Sequence, residues 1–180
     1  CLVCLFFRCY GDHRDLHAFP TRRPSGLGFD PARLERDYNA KATVSVEEFA
    51  AQIKRYRAES LAQRDQWGRH FDVVYDAESG QRLDIFAPRV AQKMLPVFVF
   101  IHGGYWRALA KEDSAMMAGM LAAEGIATVV IDYRLAPEAS LAEITREVRA
   151  ALGFVWRNAQ QYGLDRERIC VGGSSAGGHL

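Results

Sequence analysis

Five residues near the C-terminal end, Gly173-Ser174-Ser175-Ala176-Gly177, place a hydroxyl between glycines two positions away on either side. This G-x-S-x-G spacing suits a turn too tight for side chains at its flanks, so that Ser175 stands clear of the backbone at the positive end of a helix starting there. A serine so placed is a candidate nucleophile for acyl transfer. A Gly/Ser-rich turn that carries no chemistry, or that holds a phosphate on backbone N–H groups, has the same composition. A second run, His102-Gly103-Gly104-Tyr105-Trp106, exposes main-chain donors at adjacent glycines. Acyl transfer needs donors aimed at the oxygen that becomes negative in the transition state. Gly103 and Gly104 are the candidates from one side and Ala176 from the other. His102 reads as a polar brace of that loop rather than a catalytic group. Tyr105 and Trp106 read as an aromatic wall of a substrate pocket, against the simpler reading of exposed loop aromatics.

These residues can meet only if strands deliver them to one edge of a sheet. Residues 96–101 and 126–131 are continuous apolar runs, rich in β-branched and aromatic residues, that fit strands covered on both faces. A third short strand over 168–172 leads into the glycine-serine turn, with helix from Ser175 onward. Helices are predicted over 113–124, stopped by Gly125, and over 140–162, stopped by Gly163. In the second, Leu141, Ile144, Val148, Leu152, Val155 and Ala159 fall on one stripe. Alternating strands and helices predict an α/β fold with a mostly parallel sheet flanked by helices. Runs at 71–75 and 82–86, joined by a turn at 78–80 and ended by Pro88, add an antiparallel hairpin at one edge. Upstream, Asp30-Pro31 starts a short helix to about Tyr38. A second helix is predicted over 46–63, with Phe49, Ile53, Tyr56 and Ser60 on one face.

The chain of 180 residues suits one domain, and 49% hydrophobic with 25% charged residues is ordinary globular usage, which excludes a disordered or collagen-like chain. With 23 Lys and Arg against 22 Asp and Glu, there is no electrostatic footprint for nucleic acid or an acidic membrane. No apolar run approaches the roughly 18 residues a membrane span needs. Four cysteines do not make a disulfide scaffold. Cys1, Cys4, Cys9, His13 and His17 invite a zinc reading. Only eight residues separate Cys4 from His13, however, where the common finger has about twelve. No metal and no cofactor are therefore expected. Residues 1–29 are expected to form a poorly ordered leader or linker, with the turn-rich stretch 21–28 as its end.

The three runs His102-Gly103-Gly104, Asp132-Tyr133-Arg134-Leu135-Ala136-Pro137-Glu138 and 172–178 (GGSSAGG) together resemble the α/β-hydrolase superfamily. The resemblance covers about Asp30 to Leu180 and points to the hormone-sensitive-lipase and kynurenine-formamidase branches. The lipase-like branch carries a third glycine where Tyr105 stands, an Asp where Ser174 stands, and a Phe-Pro-Ala run that is absent after Glu138. HGGYW, SLAEI at 140–144, SAGGHL at 175–180 and Tyr38-Asn39 are more similar to bacterial arylformamidases, although that branch often has Cys where Ala136 is. The resemblance implies an α/β-hydrolase fold, Ser175 as nucleophile, and a triad acid and histidine that follow the serine in the chain.

After Ser175 come only Ala176, Gly177, Gly178, His179 and Leu180. None is an acid, and His179 lies one helical turn on. His13, His17, His70 and His102 precede the serine. The chain starts at Cys1 and ends at Leu180 inside an expected helix, so an N-terminal piece of a longer protein is expected, truncated after the nucleophile turn. By itself this piece is expected to be nearly inactive and, with an unpaired edge at 168–172, prone to aggregate. The expectation is a serine hydrolase acting through an acyl-enzyme on an aryl formamide such as N-formylkynurenine. A short-chain carboxylesterase of the same fold is the alternative, and a non-catalytic binding protein on that scaffold is a rival of another class. The expected partner is a small amide or ester, with no nucleic acid and no membrane; the expected compartment is the cytoplasm. A homodimer of the full-length protein is left open.

Overall fold

The computed structural model describes residues 30–39 and 43–180. The candidate zinc ligands and the expected leader lie outside the described residues. The described residues fall into two compact units, which divide between Lys54 and Arg55. In the smaller unit, α1 (Pro31–Tyr38) begins where expected: the Asp30 carboxylate accepts from the Ala32 N–H at 3.1 Å, and proline follows at the first helical position. The next helix, α2 (Val46–Trp67), opens with a capping box. Ser45 Oγ accepts from the Glu48 N–H at 3.1 Å, while the Glu48 carboxylate accepts from the Ser45 N–H at 3.0 Å. Those Ser45 bonds hold the Glu48 carboxyl below its ordinary range.

The larger unit is built on a five-stranded sheet of order β1-β2-β4-β3-β5. The strands are β1 (Gly68–Val74), β2 (Arg82–Phe86), β3 (Leu95–Ile101), β4 (Ala127–Ile131) and β5 (Leu164–Gly173). β4, β3 and β5 run parallel; β2 pairs antiparallel with β4, and β1 antiparallel with β2. The expected parallel core with an antiparallel hairpin at one edge is therefore present. Strand β3 shows why both its faces are apolar. Val97, Val99 and Ile101 pack with the core on the side of α4, while Phe98 and Phe100 join Phe86, Ala115, Ala118, Val130 and Trp67 on the other. Alternation by two distributes one apolar run over two cores.

Helix α4 (Leu141–Asn158) starts at Ser140, whose hydroxyl and backbone form a capping box with Glu143. Its buried stripe is Ile144, Val148, Ala151 and Val155. Ala151 takes the position assigned to Leu152, which is half-buried, and Leu141 is exposed. The last turn of the expected helix is a 3-10 turn (Ala159–Tyr162), closed by Gly163 at φ 70°.

Helix α3 corrects the sequence reading more strongly. The pattern predicts helix over 113–124, but α3 covers only Ala118–Ala123, and Lys111–Asp113 form a separate 3-10 turn. Side chains there compete for the backbone. The Asp113 carboxylate accepts from the Ala110 N–H at 3.1 Å, Ser114 Oγ donates to the Ala110 carbonyl at 3.0 Å, and the Ala115 N–H donates to buried Ser60 Oγ at 3.0 Å. Such local bonds hold Asp and Ser segments out of a regular helix.

Candidate active site

Strands β3 and β5 run side by side and end together, with Ile101 paired to Gly173. The two glycine-bearing runs thus emerge at the same edge. Beyond Gly173 the chain reverses through Ser175, at φ 51° and ψ −113°, into the short helix α5 (Ala176–His179). Positive φ in a non-glycine residue is a strained geometry, and it lets the expected tight turn close. The glycines explain how the turn closes. A Cβ on Gly177 would lie 2.1 Å from the Ile101 carbonyl oxygen and 2.6 Å from that of His102; one on Gly173 would lie 2.3 Å from the Gly177 carbonyl carbon. The turn presses against the end of β3, and no side chain fits between.

Ser175 is exposed at the tip of this turn, and its hydroxyl meets no hydrogen-bond partner among the described residues. Gly103 lies alongside: a Cβ there would be 3.3 Å from Ser175 Cβ and 2.8 Å from the Ser174 carbonyl oxygen. Among the described residues, the backbone N–H groups of Gly103, Gly104 and Ala176 donate to no protein acceptor. Gly103 and Ala176 are buried, and unpaired main-chain donors at buried residues are rare in folded proteins. An exposed hydroxyl beside the unpaired N–H groups of Gly103 and Ala176 is placed to attack a carbonyl whose developing oxyanion such donors can accept.

His102 is 1% exposed, and its Nδ1 lies 2.8 Å from the Gly103 carbonyl oxygen. A carbonyl only accepts, so Nδ1 carries the proton and Nε2 is the bare nitrogen. Nε2 has no hydrogen-bond partner and is 4.0 Å from Asp132 Oδ1. Burial pushes the imidazole below its ordinary pKa, which keeps it neutral. His102 thus holds the loop through the Gly103 carbonyl and makes no hydrogen bond to the serine. Tyr105 and Trp106 both have positive φ, 57° and 59°. The Tyr105 ring is 70% exposed, whereas the Trp106 ring packs on the core, edge-on to His179 at 5.3 Å. The Trp106 indole N–H is buried without a partner. A cavity of about 590 Å3 on the α3 face reaches Gly103 and Ser174 and is lined by Phe98, Phe100, Leu109 and Met117, but by neither Tyr105 nor Trp106.

Sequence reasoning missed a charged cluster under the oxyanion-side loop. Lys111 is 1% exposed, and its Nζ meets Glu112 at 2.6 Å, Asp72 at 2.9 Å and Asp84 at 3.1 Å. Its backbone N–H donates to Asp132 Oδ1 at 2.8 Å. Burial, aided by the neighbouring Glu112 and Asp84, pushes the Asp132 carboxyl up to about 6, although the Lys111 N–H pulls the other way. A carboxyl raised in the fold destabilises the folded state once ionised. That penalty is absent below about pH 4 and complete above about pH 6, so this group's contribution falls as pH rises through that window. Asp132→Asn, whose amide oxygen can still accept from Lys111, is expected to stabilise the full-length protein at pH 7.5 by on the order of 2 kcal/mol, and to be neutral at pH 4. Paired thermal melts at both pH values check this; an equal effect at both removes Asp132 as the titrating group.

The profile of the BD-FAE family matches residues 83–180. Kynurenine formamidase of Salmo salar is 30% identical over 153 residues, covering 84% of this chain and 49% of that protein. Carboxylesterase NlhH of Mycobacterium tuberculosis is 38% identical over 110 residues, covering 60% of this chain and 34% of that protein. The solved structure of a bacterial heroin esterase superposes with a TM-score of 0.62 at 30% identity, covering 77% of this chain and 43% of that one. The chain spans about half the length of the formamidase it matches or less of the others. The matched segment runs from Leu83 in β2 through α5 and holds both glycine-bearing runs. Together the sheet order, the turn at Ser175 and these matches show that the chain belongs to the BD-FAE family and has the fold of an α/β-hydrolase.

Proposed function

We propose that this chain carries the nucleophile and the oxyanion donors of a serine hydrolase that acts on esters or amides through an acyl-enzyme. The observation that supports this reading best is the exposed Ser175 hydroxyl on a φ 51° turn, with Gly103 alongside and the N–H groups of Gly103, Gly104 and Ala176 unpaired among the described residues. Ser175 Oγ attacks the carbonyl carbon, and the carbonyl electrons move to oxygen, where Gly103, Gly104 and Ala176 donate to it. Collapse breaks the bond to the amine or alcohol, which leaves with the proton the serine gave up, and the acyl group stays on Oγ; water then hydrolyses that ester and returns a proton to Oγ. The serine proton needs a base. None of the described histidines is hydrogen-bonded to Ser175: His102 bonds Gly103, His179 packs edge-on to Trp106, and His70 stands edge-on to Tyr162 at 4.9 Å. The base is assigned to none of them.

The substrate we favour is an aryl formamide such as N-formylkynurenine. The named activity of the formamidase relatives supports it, as does the exposed Tyr105 ring, 5.4 Å from Trp106, available to stack on an aryl group. The higher identity to a carboxylesterase over a shorter stretch favours the second reading, a short-chain ester. The full-length protein is expected to show a higher kcat/KM on N-formylkynurenine than on p-nitrophenyl butyrate or octanoate. Higher values on the long esters select the carboxylesterase. No turnover of either class, with no covalent labelling of Ser175 by an activated phosphonate, leaves a binding protein.

A further inference from the structure

We propose that Tyr133 is a positioning residue that sets both glycine N–H donors of the oxyanion loop at once; this rests on the reading of Ser175 and the glycines given above. Tyr133 is 3% exposed, and its ring stacks on His102 with centroids 4.1 Å apart and planes 10° apart. Its hydroxyl has one proton and shares it between two acceptors, the carbonyl oxygens of His102 at 2.9 Å and Gly103 at 3.2 Å. Those two carbonyls are not incidental. In a planar trans peptide the C=O of one residue and the N–H of the next lie in one plane and point in opposite directions. The His102 carbonyl therefore fixes the Gly103 N–H, and the Gly103 carbonyl fixes the Gly104 N–H. Drawing both carbonyls to one hydroxyl turns both N–H groups to the other side of the loop. Two glycines in succession have no side chains to hold these planes, so a clamp from outside is needed where the loop must be preorganised.

The clamp is itself held on either side. The Asp132 N–H donates to the Arg82 carbonyl at 2.9 Å, and the Asp132 carbonyl accepts from the Tyr75 hydroxyl at 2.6 Å. The Arg134 N–H donates at 2.8 Å to the carboxylate of fully buried Glu147 on α4, whose other oxygen accepts from the Arg134 guanidinium. Tyr133 is thereby anchored to β2 and α4 while its hydroxyl reaches a loop some thirty residues earlier in the chain. His102 supplies a second donor to the same Gly103 carbonyl, from Nδ1. Burial raises the Tyr133 phenol above its ordinary pKa, so the donor proton stays in place across the neutral range.

The test compares wild type, Tyr133→Phe and Ser175→Ala in the full-length protein, on the ester or formamide it turns over fastest. Removing one oxyanion donor typically costs on the order of 10²–10³ in kcat. Tyr133→Phe keeps the ring stack and only loosens two donors, so kcat is expected to fall about 10-fold or more with KM within about twofold. Affinity for an aryl boronic acid, whose tetrahedral adduct on serine places an oxygen on the same donors, is expected to fall in parallel. A Tyr133→Phe protein within twofold of wild type in kcat and boronate affinity, while Ser175→Ala is inactive, overturns the clamp and leaves the hydrolase reading standing. An active Ser175→Ala protein overturns that reading, and the clamp with it. Should Tyr133→Phe not fold, 3,5-difluorotyrosine at position 133 preserves the shape and acidifies the hydroxyl. Ionisation then removes the donor, and the alkaline fall of kcat is expected to move to lower pH with KM unchanged. An unmoved limb overturns the clamp.

Discussion

Ser175→Ala is expected to lower kcat of the full-length protein by on the order of 10⁶-fold, to the level that free donors and substrate binding alone sustain. The size follows from mechanism. On the proposed reading no acyl-enzyme forms without Oγ, and the N–H groups of Gly103, Gly104 and Ala176 would stabilise only direct attack by water, leaving roughly 10³–10⁴ over the uncatalysed rate. The substitution should not harm the fold. Ser175 is exposed, its hydroxyl has no partner among the described residues, and the strained φ of 51° is as accessible to alanine as to serine. Equal thermal transitions with a kcat ratio near unity would show that Ser175 is not the nucleophile. The neighbouring Ser174, whose carbonyl accepts from the Gly177 N–H at 2.8 Å, serves as the control position.

Lys111→Met is expected to destabilise the full-length protein by about 3–5 kcal/mol, because it leaves buried carboxylate without its cation. Asp84 is 2% exposed, and its Oδ1 also accepts from the Asp72 N–H at 2.8 Å, so it cannot turn to water. Burial by itself would push the Lys111 ammonium down. The bonds to Glu112, Asp72 and Asp84 outweigh it and raise its pKa above the ordinary value. Its charged form is therefore what the site is built around. For a domain of roughly 150–250 residues such a loss corresponds to a fall in Tm of about 10 °C, and to somewhat less in a longer chain. The double variant Lys111→Met with Asp84→Asn is expected to recover part of it by neutralising the most buried carboxylate. A single variant that melts within 2 °C of wild type would mean that water, not Lys111, neutralises the cluster. The same cluster links stability to the site, since the Lys111 backbone binds Asp132 and Asp132 precedes Tyr133.

Much of the fold was legible because its signals are local. The apolar runs that became β3 and β4 can satisfy their side chains only with cover on two faces, and the Ser140–Glu143 capping box fixes the start of α4 within four residues of chain. The spacing of Gly173 and Gly177 around Ser175 carried the sharp turn, since a Cβ at either glycine would meet backbone within 2.3 Å. Other features depend on partners far away in sequence. Residues 113–117 have the composition of helix, but Ser60, 55 residues away, captures the Ala115 N–H and Asp113 folds back onto Ala110. Nothing in the sequence marks Lys111, which is buried because β1 and β2 bring Asp72 and Asp84 to it. Tyr133 looked like one letter of a family motif, and only the parallel pairing of β3 with β4 brings its hydroxyl to the carbonyls of His102 and Gly103. Types and spacing thus determined which groups could do chemistry. Tertiary structure decided where the N–H groups point, because a peptide plane between two glycines has no side chain of its own to hold it and takes its orientation from whatever packs beneath.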